Sequence, residues 1–479
     1  MPSFAININW DYLQALGNFL LYAPPTRVYL FLFTHGGWFV LMLALHRLFL
    51  EFYMYNRWGA YLGKLKWIFL AVDVPKGNEQ TPKAVEQIFA HLAGAHKNPD
   101  MEEAYLAGYV QPWFSFEIIS IEGYTQFVIG LVKKYRDLVE AAVYAQYPDA
   151  EITEIEDYAK GFPEYFPNKE YDLWGSEYVF TGKEQVYPIR TYAEFEHTSA
   201  ENVYKDPLAA MLETLSRLGK GEFAGVQILI KPIDNEWTAL GVDWPEGWKE
   251  HGKDVVKKMT GAPAKKSAPG IVSQIGSMPG KIFDTTAQSI FTEYGAIGGA
   301  VDEKKKEEMP SLMLHLPPGY KAAIEKVEQK VSKICYATKI RFIYLAKKES
   351  YDKNRAAYGF TGAMKQFNTE NLNGFKPEMH KIGTHVHYFF KEPRLNWRKT
   401  RLAVNYKNRS RWKGASEFLM NIEELASVWH FPMLTVKAPM VATAEAKKGQ
   451  PPASLPTERA GGSIKAIERK SIPPPNLPI

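Results

Sequence analysis

Apolar positions along the chain fall into three regimes. The first is continuous: from Val28 to Leu45 the sequence reads VYLFLFTHGGWFVLMLAL, eighteen residues with no formal charge besides the titratable His35. About 20 apolar residues of helix cross a hydrocarbon layer of about 30 Å, so this run predicts one transmembrane helix. A secretory leader fits less well, because no basic n-region precedes the run and no small-x-small cleavage site follows it. A buried hairpin turning at Gly36 and Gly37 is the soluble alternative. Arg47, Arg57, Lys64 and Lys66 follow the run while Arg27 alone lies just before it, which predicts a cytoplasmic C-terminal side. Ile6 to Tyr22 reads as an amphipathic helix in the membrane plane, making residues 1–60 an anchor.

The second regime alternates between periods of two and 3.6. Leu65 to Val74 is strand-like; Thr81 and Pro82 open a helix running to about His96 that buries Val85, Ile88, Phe89 and Leu92. Phe114–Ile121 and Tyr124–Leu131 are strands around a tight Glu122-Gly123 turn. Tyr135–Tyr147 is helical, and Glu151–Asp157 is a short strand. This βαββαβ order predicts a ferredoxin-like module over residues 61–160. A second α+β module is predicted over 175–390. It comprises a strand at Tyr187–Phe195, a helix from Asp206-Pro207 through Leu218 and a strand at Phe223–Ile230, then a helix at Lys321–Ile334, a strand at Thr338–Ala346 and a helix at Asp352–Phe367. Residues 235–315, including the charge run Asp302–Glu308, interrupt it as an insertion. The fold class expected is α+β: a transmembrane helix, then two ferredoxin-like α/β sandwich modules. Residues 391–436 follow as a basic segment and C-terminal helix, and Ala-, Lys- and Pro-rich residues 437–479 form the third regime, a disordered tail.

Charge is unevenly divided. Residues 1–320 carry 29 Lys+Arg against 40 Asp+Glu, whereas residues 321–479 carry 29 against 13. An anionic partner for the C-terminal third is implied, whether nucleic acid, lipid headgroups or an acidic protein. The densest part is Lys391–Lys413, with nine cations, one acid and the interleaved aromatics Trp397, Tyr406 and Trp412. Arg394, Arg398, Lys399, Arg401, Lys407, Arg409, Arg411 and Lys413 are the candidate ligands for phosphate backbones or an anionic membrane; a solvated basic loop is the plain alternative.

Motifs for catalysis are absent from the pattern. Gly276–Lys281 and Gly261–Ser267 fall short of the phosphate-binding GxxxxGK[ST] loop. His380, His385 and His387 lack the partners of a metal shell, and a single cysteine, Cys335, supports neither a disulfide framework nor a zinc knuckle. No cofactor or metal is expected, and the chain reads as no enzyme.

Four phrases, VEQIFAHLAG (Val85–Gly94), VYAQYPDAEITEIEDY (Val143–Tyr158), KQFNTENLNGFKP (Lys365–Pro377) and MNIEELASVWHFP (Met420–Pro432), together resemble an uncharacterised bacterial membrane-protein family. Its body is similar to the N-terminal, non-motor part of HerA/FtsK-like ATPases of type IV secretion and conjugation. In such relatives a basic segment, an N-x-E-E-L-A-x-x-x-H-F-P phrase and a PPxxLP stretch precede the motor; residues 391–413, Asn421–Pro432 and Pro451–Pro456 stand in that order here. The resemblance implies a structural component of the bacterial inner membrane, single-pass, which docks a separately encoded ATPase and assembles as a homo-oligomer. Glu423, Glu424, Trp429, His430, Phe431 and Pro432 are the implied docking residues. The alternative is a membrane-tethered DNA-binding protein using the basic segment.

Overall fold

A computed structural model describes residues 10–75, 78–182, 184–195, 206–237, 244, 246–260, 316–379 and 381–433. Most of the insertion (261–315) and the tail from residue 434 onward lie outside the described residues, with both near-miss phosphate loops and the charge run.

Three helices open the chain: α1 (Trp10–Tyr22), α2 (Pro25–Thr34) and α3 (Gly37–Lys64). The single span expected at Val28–Leu45 is divided between α2 and α3, which corrects that boundary. Gly36 adopts φ +89°, a left-handed conformation that ends a right-handed helix. Thr34 Oγ1 donates to the carbonyls of Leu30 and Phe31, closing the last turn of α2. α3 has 28 residues and is long and apolar enough to cross a membrane; at 1.5 Å per residue it reaches about 42 Å. Leu41, Leu43, Leu45, Leu48, Phe49 and Phe52 are exposed on it, and Met54 is buried where it meets the body. Arg47 and Glu51 within it pair one turn apart at 3.2 Å.

Two residues after α3 the sheet begins. β1 (Trp67–Asp73), α4 (Pro82–Leu92), β2 (Phe114–Ile121), β3 (Tyr124–Val132), α5 (Arg136–Gln146) and β4 (Glu151–Ile155) follow in order. The β2–β3 turn is made by Glu122 and Gly123 at φ +54° and +89°, the backbone that matches strand twist in a two-residue hairpin. Next come β5 (Tyr171–Phe180), α6 (Ala209–Ser216), β6 (Glu222–Pro232), α7 (Trp248–Met259), α8 (Pro318–Ser332), β7 (Cys335–Lys347), α9 (Lys353–Lys365) and β8 (Phe375–Pro377). α10 (Lys391–Lys407), β9 (Phe418–Asn421) and α11 (Ile422–Val428) close the described chain.

All nine strands form one antiparallel sheet in the order β4-β1-β3-β2-β6-β7-β5-β8, with β9 added beside β7. Counted outward from the β2–β6 seam, each half repeats the same chain order of second, third, first and fourth strand. The seam itself runs from Phe114↔Ile230 to Ile121↔Phe223. Tyr187–Phe195 is not a strand, contrary to expectation: Pro188 has no N–H, the amide of Ile189 is taken by the Glu424 carboxylate and that of Arg190 by the Phe367 carbonyl. The strand in that region is β5.

The two sheet faces differ. One carries the larger apolar core beneath α4, α5, α6, α9 and α11, built from residues such as Leu70, Phe116, Ile129, Val226 and Phe342. The other is covered by α10 and residues around Tyr158–Tyr171, with Phe69, Val128, Phe223 and Ile343 meeting Leu402 and Tyr406. Glycines make that second contact close. A Cβ on Gly225 would overlap the Tyr406 hydroxyl, and one on Gly175 would overlap the Phe342 carbonyl and Leu402.

Candidate functional site

Beneath α10 the sheet carries charge as well as hydrocarbon. Glu117 on β2 is in register with Gln227 on β6, Gln227 with Arg341 on β7, and Arg341 with Glu177 on β5. These four side chains make a lateral row across adjacent strands, and each is 0% exposed. Burial of ions is costly unless every group is paired, and here each is. Arg341 Nε donates to Glu177 Oε1 at 2.5 Å and Nη1 to Gln227 Oε1 at 3.2 Å. Gln227 Nε2 donates to Glu117 Oε1 at 3.0 Å. The remaining arginine donors reach the carbonyls of Asn405, Ser410 and Lys413, and Glu177 accepts from the Ala415 amide. Row and helix are thereby one hydrogen-bonded unit.

Arg409 continues it. Its Nε donates to Glu117 Oε1 at 3.0 Å and its Nη1 to Asp157 Oδ2 at 2.8 Å, while the guanidinium lies 4.0 Å from the Phe69 ring centre. Burial works against that charge, and Glu117, Tyr158 and Asp157 more than restore it, holding Arg409 fully protonated. Burial and the adjacent Glu117 push the Tyr158 and Tyr406 hydroxyls well up. On β7, Lys339 is pushed down to about 8 by burial and by the neighbouring Arg341, and its ammonium donates to the carbonyls of Arg411 and Lys413.

The expected basic surface is therefore partly internal. The segment folds as helix α10 plus a turn, not as a solvated loop, and Arg398, Lys399 and Arg409 are buried. Arg398 Nη1 donates to the carbonyls of Met379, Gly383 and His385; Lys399 pairs with Asp172 at 2.5 Å. Lys407 pairs with Glu164 at 2.6 Å and Arg411 with Glu417. These five therefore have partners within the chain, Glu417 lying six residues from Arg411 and the others thirteen or more residues away. Arg394 and Lys413 are exposed and Arg401 half-buried, its guanidinium 5.0 Å from the Trp397 ring centre. The His385 and His387 rings touch at 4.3 Å; His380 lies outside the described residues. Among the described residues no group of three or more His, Cys, Asp or Glu side chains could hold a metal.

The phrase Asn421–Pro432 is a clasp between the two halves of the sheet. Asn421 and Glu424 form a capping box that starts α11. Glu424 also meets Lys330 of α8 at 3.1 Å with neither side chain exposed. Trp429 packs edge-on against Phe116 at 4.7 Å and Phe127 at 5.6 Å, and Phe431 lies 5.0 Å from Tyr147. His430 Nε2 reaches Asp206 Oδ1 at 2.9 Å, with its Nδ1 2.8 Å from the Ala426 carbonyl. Glu424, Trp429, His430 and Phe431 thus spend their side chains inside the fold, whereas Glu423, which pairs with Lys333 at 2.6 Å, and Pro432 keep partial exposure. Sequence reasoning missed Glu117, Glu177, Gln227 and Arg341, whose only trace is a polar residue at an inward position of an otherwise apolar strand.

No curated protein matches the chain. The family described as "Domain of unknown function (DUF8128)" matches residues 74–444, a span that takes in the whole sheet except β1 together with the charge row, α10 and the clasp, and the chain belongs to that family.

Proposed function

We propose that the protein is a non-catalytic, membrane-anchored platform of the bacterial inner membrane, in which α3 is the single span and the sheet body stands in the cytoplasm to dock a separately encoded HerA/FtsK-like ATPase of a type IV secretion-like apparatus. The observation that carries this reading is α3: a 28-residue apolar helix, exposed along its length, that runs into a large body after a two-residue connection. Exposed apolar surface of this extent is expensive in water and favourable in lipid. Positive charges at Arg57, Lys64 and Lys66, toward the body, favour a cytoplasmic body. The repeated strand order supports reading each half of the sheet as a ferredoxin-like unit, the two fused edge to edge. With the clasp packed inside, partly exposed Glu423 and Pro432 and the residues beyond 433 are the docking elements. A platform for a ring-shaped motor would itself assemble as a homo-oligomer.

DNA binding is the weaker reading, since six of the eight candidate cations are bonded within the chain. Co-purification in detergent tests the platform: full-length protein is compared with a version ending at Met433, which keeps the clasp. Recovery of a Walker-motif ATPase with the full-length protein only supports docking through the tail. Recovery of nucleic acid instead, lost with Arg401→Ala and Lys413→Ala at unchanged fold, would replace the platform with the DNA tether.

A further inference from the structure

We propose that the loop tip Tyr388–Phe389–Phe390, just ahead of α10, is a second membrane contact that inserts into the headgroup region of an anionic bilayer. The inference rests on α3 being a membrane anchor. The three rings are 80%, 82% and 79% exposed, an aromatic cluster that a soluble surface normally hides. Tyr388 and Phe390 hold φ of +65° and +53°, left-handed backbone that bulky residues rarely adopt.

The tip is built, not loose. Arg394 Nη1 donates to the carbonyls of His387 at 3.2 Å and Phe389 at 3.3 Å. One turn on, Arg398 fastens the carbonyls of Met379, Gly383 and His385. Two arginines of one helix therefore fix the loop on both sides of the histidines and turn its rings outward.

Charge selects lipid as the occupant. Lys381, Lys391 and Arg394 are exposed around the tip, and Glu392 is the single acid between residues 381 and 397. Arg394, Trp397 and Arg401 continue the arrangement at helical spacing on the outer face of α10, giving aromatics interleaved with cations. Rings at the headgroup level with arginine and lysine beside phosphate is the chemistry of an interfacial contact. A bilayer held at high local concentration by α3 makes even a weak contact populated.

The test places a polarity-sensitive fluorophore on single introduced cysteines in the full-length protein, reconstituted into phosphatidylcholine vesicles with or without phosphatidylglycerol. The native Cys335 is buried and stays unlabelled. Labels go at Phe389→Cys, at Leu43→Cys on α3 and at the exposed Tyr358→Cys on α9. Spin-labelled lipid is expected to quench the labels at 43 and 389 but not at 358, with quenching at 389 requiring phosphatidylglycerol and reduced by Lys391→Glu. Quenching at 43 without quenching at 389 overturns this inference and leaves the anchor standing; no quenching at 43 overturns the anchor and this inference with it. Shielding of 389 in detergent that grows with protein concentration shows a second copy on the tip, and also overturns it.

Discussion

Arg341 and Glu177 face each other in register on neighbouring strands, joined at 2.5 Å with no solvent access to either. Removing one partner of such a pair leaves an uncompensated buried charge at a cost of about 3–5 kcal/mol. Glu177→Leu is therefore expected to lower the unfolding free energy of the detergent-solubilised protein by an amount of that order, read as a fall in the urea midpoint. Adding Arg341→Met recovers only part, because in the double variant the Ser410 carbonyl loses the guanidinium donor and those of Asn405 and Lys413 keep only the Ser410 amide and the Lys339 ammonium. An unchanged midpoint for Glu177→Leu would show that the row carries no stability.

Gly225→Ala probes the closeness of α10 to the sheet. The new methyl group meets the Tyr406 hydroxyl, which is itself bonded to Tyr158 at 2.8 Å. Overpacking costs about 1–3 kcal/mol, and the helix rather than the sheet should yield. Limited proteolysis within residues 391–413 should accelerate, with cleavage elsewhere unaltered.

Acid should loosen the clasp. Burial alone would raise the Asp206 carboxyl, but His430 and the amides of Leu208 and Met433 outweigh it and the balance is a lowered value. The folded group thus holds its proton less tightly than the unfolded one near pH 3.9. Its contribution is present above that range and is lost as pH falls through the lower folded value. Glu417 and Glu423 move in the same direction: burial opposes their charge, and Arg411 and Lys333 respectively overcome it. Denaturation midpoints followed from pH 7 down to about 3 should fall most steeply at the acid end, less so in Asp206→Asn. A midpoint flat across that window for the unsubstituted protein would contradict the assignment.

Leu43→Arg tests the anchor. A cation at the centre of a span costs about 2.5–3.5 kcal/mol on insertion scales, and Leu43 is an exposed residue of α3. More of the variant should be released from membranes by alkaline carbonate than of the unsubstituted protein. Equal release would place α3 outside the bilayer.

Period and punctuation made much of the sheet readable: the Glu122-Gly123 turn, the run from Phe223 to Ile230 and the amphipathic stretch of α8 all fall where the alternation places them. β5 did not show itself, because Asp172, Ser176 and Glu177 interrupt its apolar pattern, although Ser176 and Glu177 are buried, Glu177 as a member of the charge row. For the same reason α10 read as a solvated surface. Arg409 finds Glu117 across 292 residues, a separation that spacing in a sequence cannot reveal. The helix break at Gly36 was visible as a glycine pair, but hydropathy alone runs through it.

Because β1 starts two residues after α3 and is laced on both sides, to β3 from Trp67 to Val72 and to β4 from Phe69 to Asp73, tension entering through α3 loads those ladders lengthwise. Their bonds must then fail together instead of opening one after another like a zip. A pull on α3 is therefore delivered to the whole sheet as to a stiff plate.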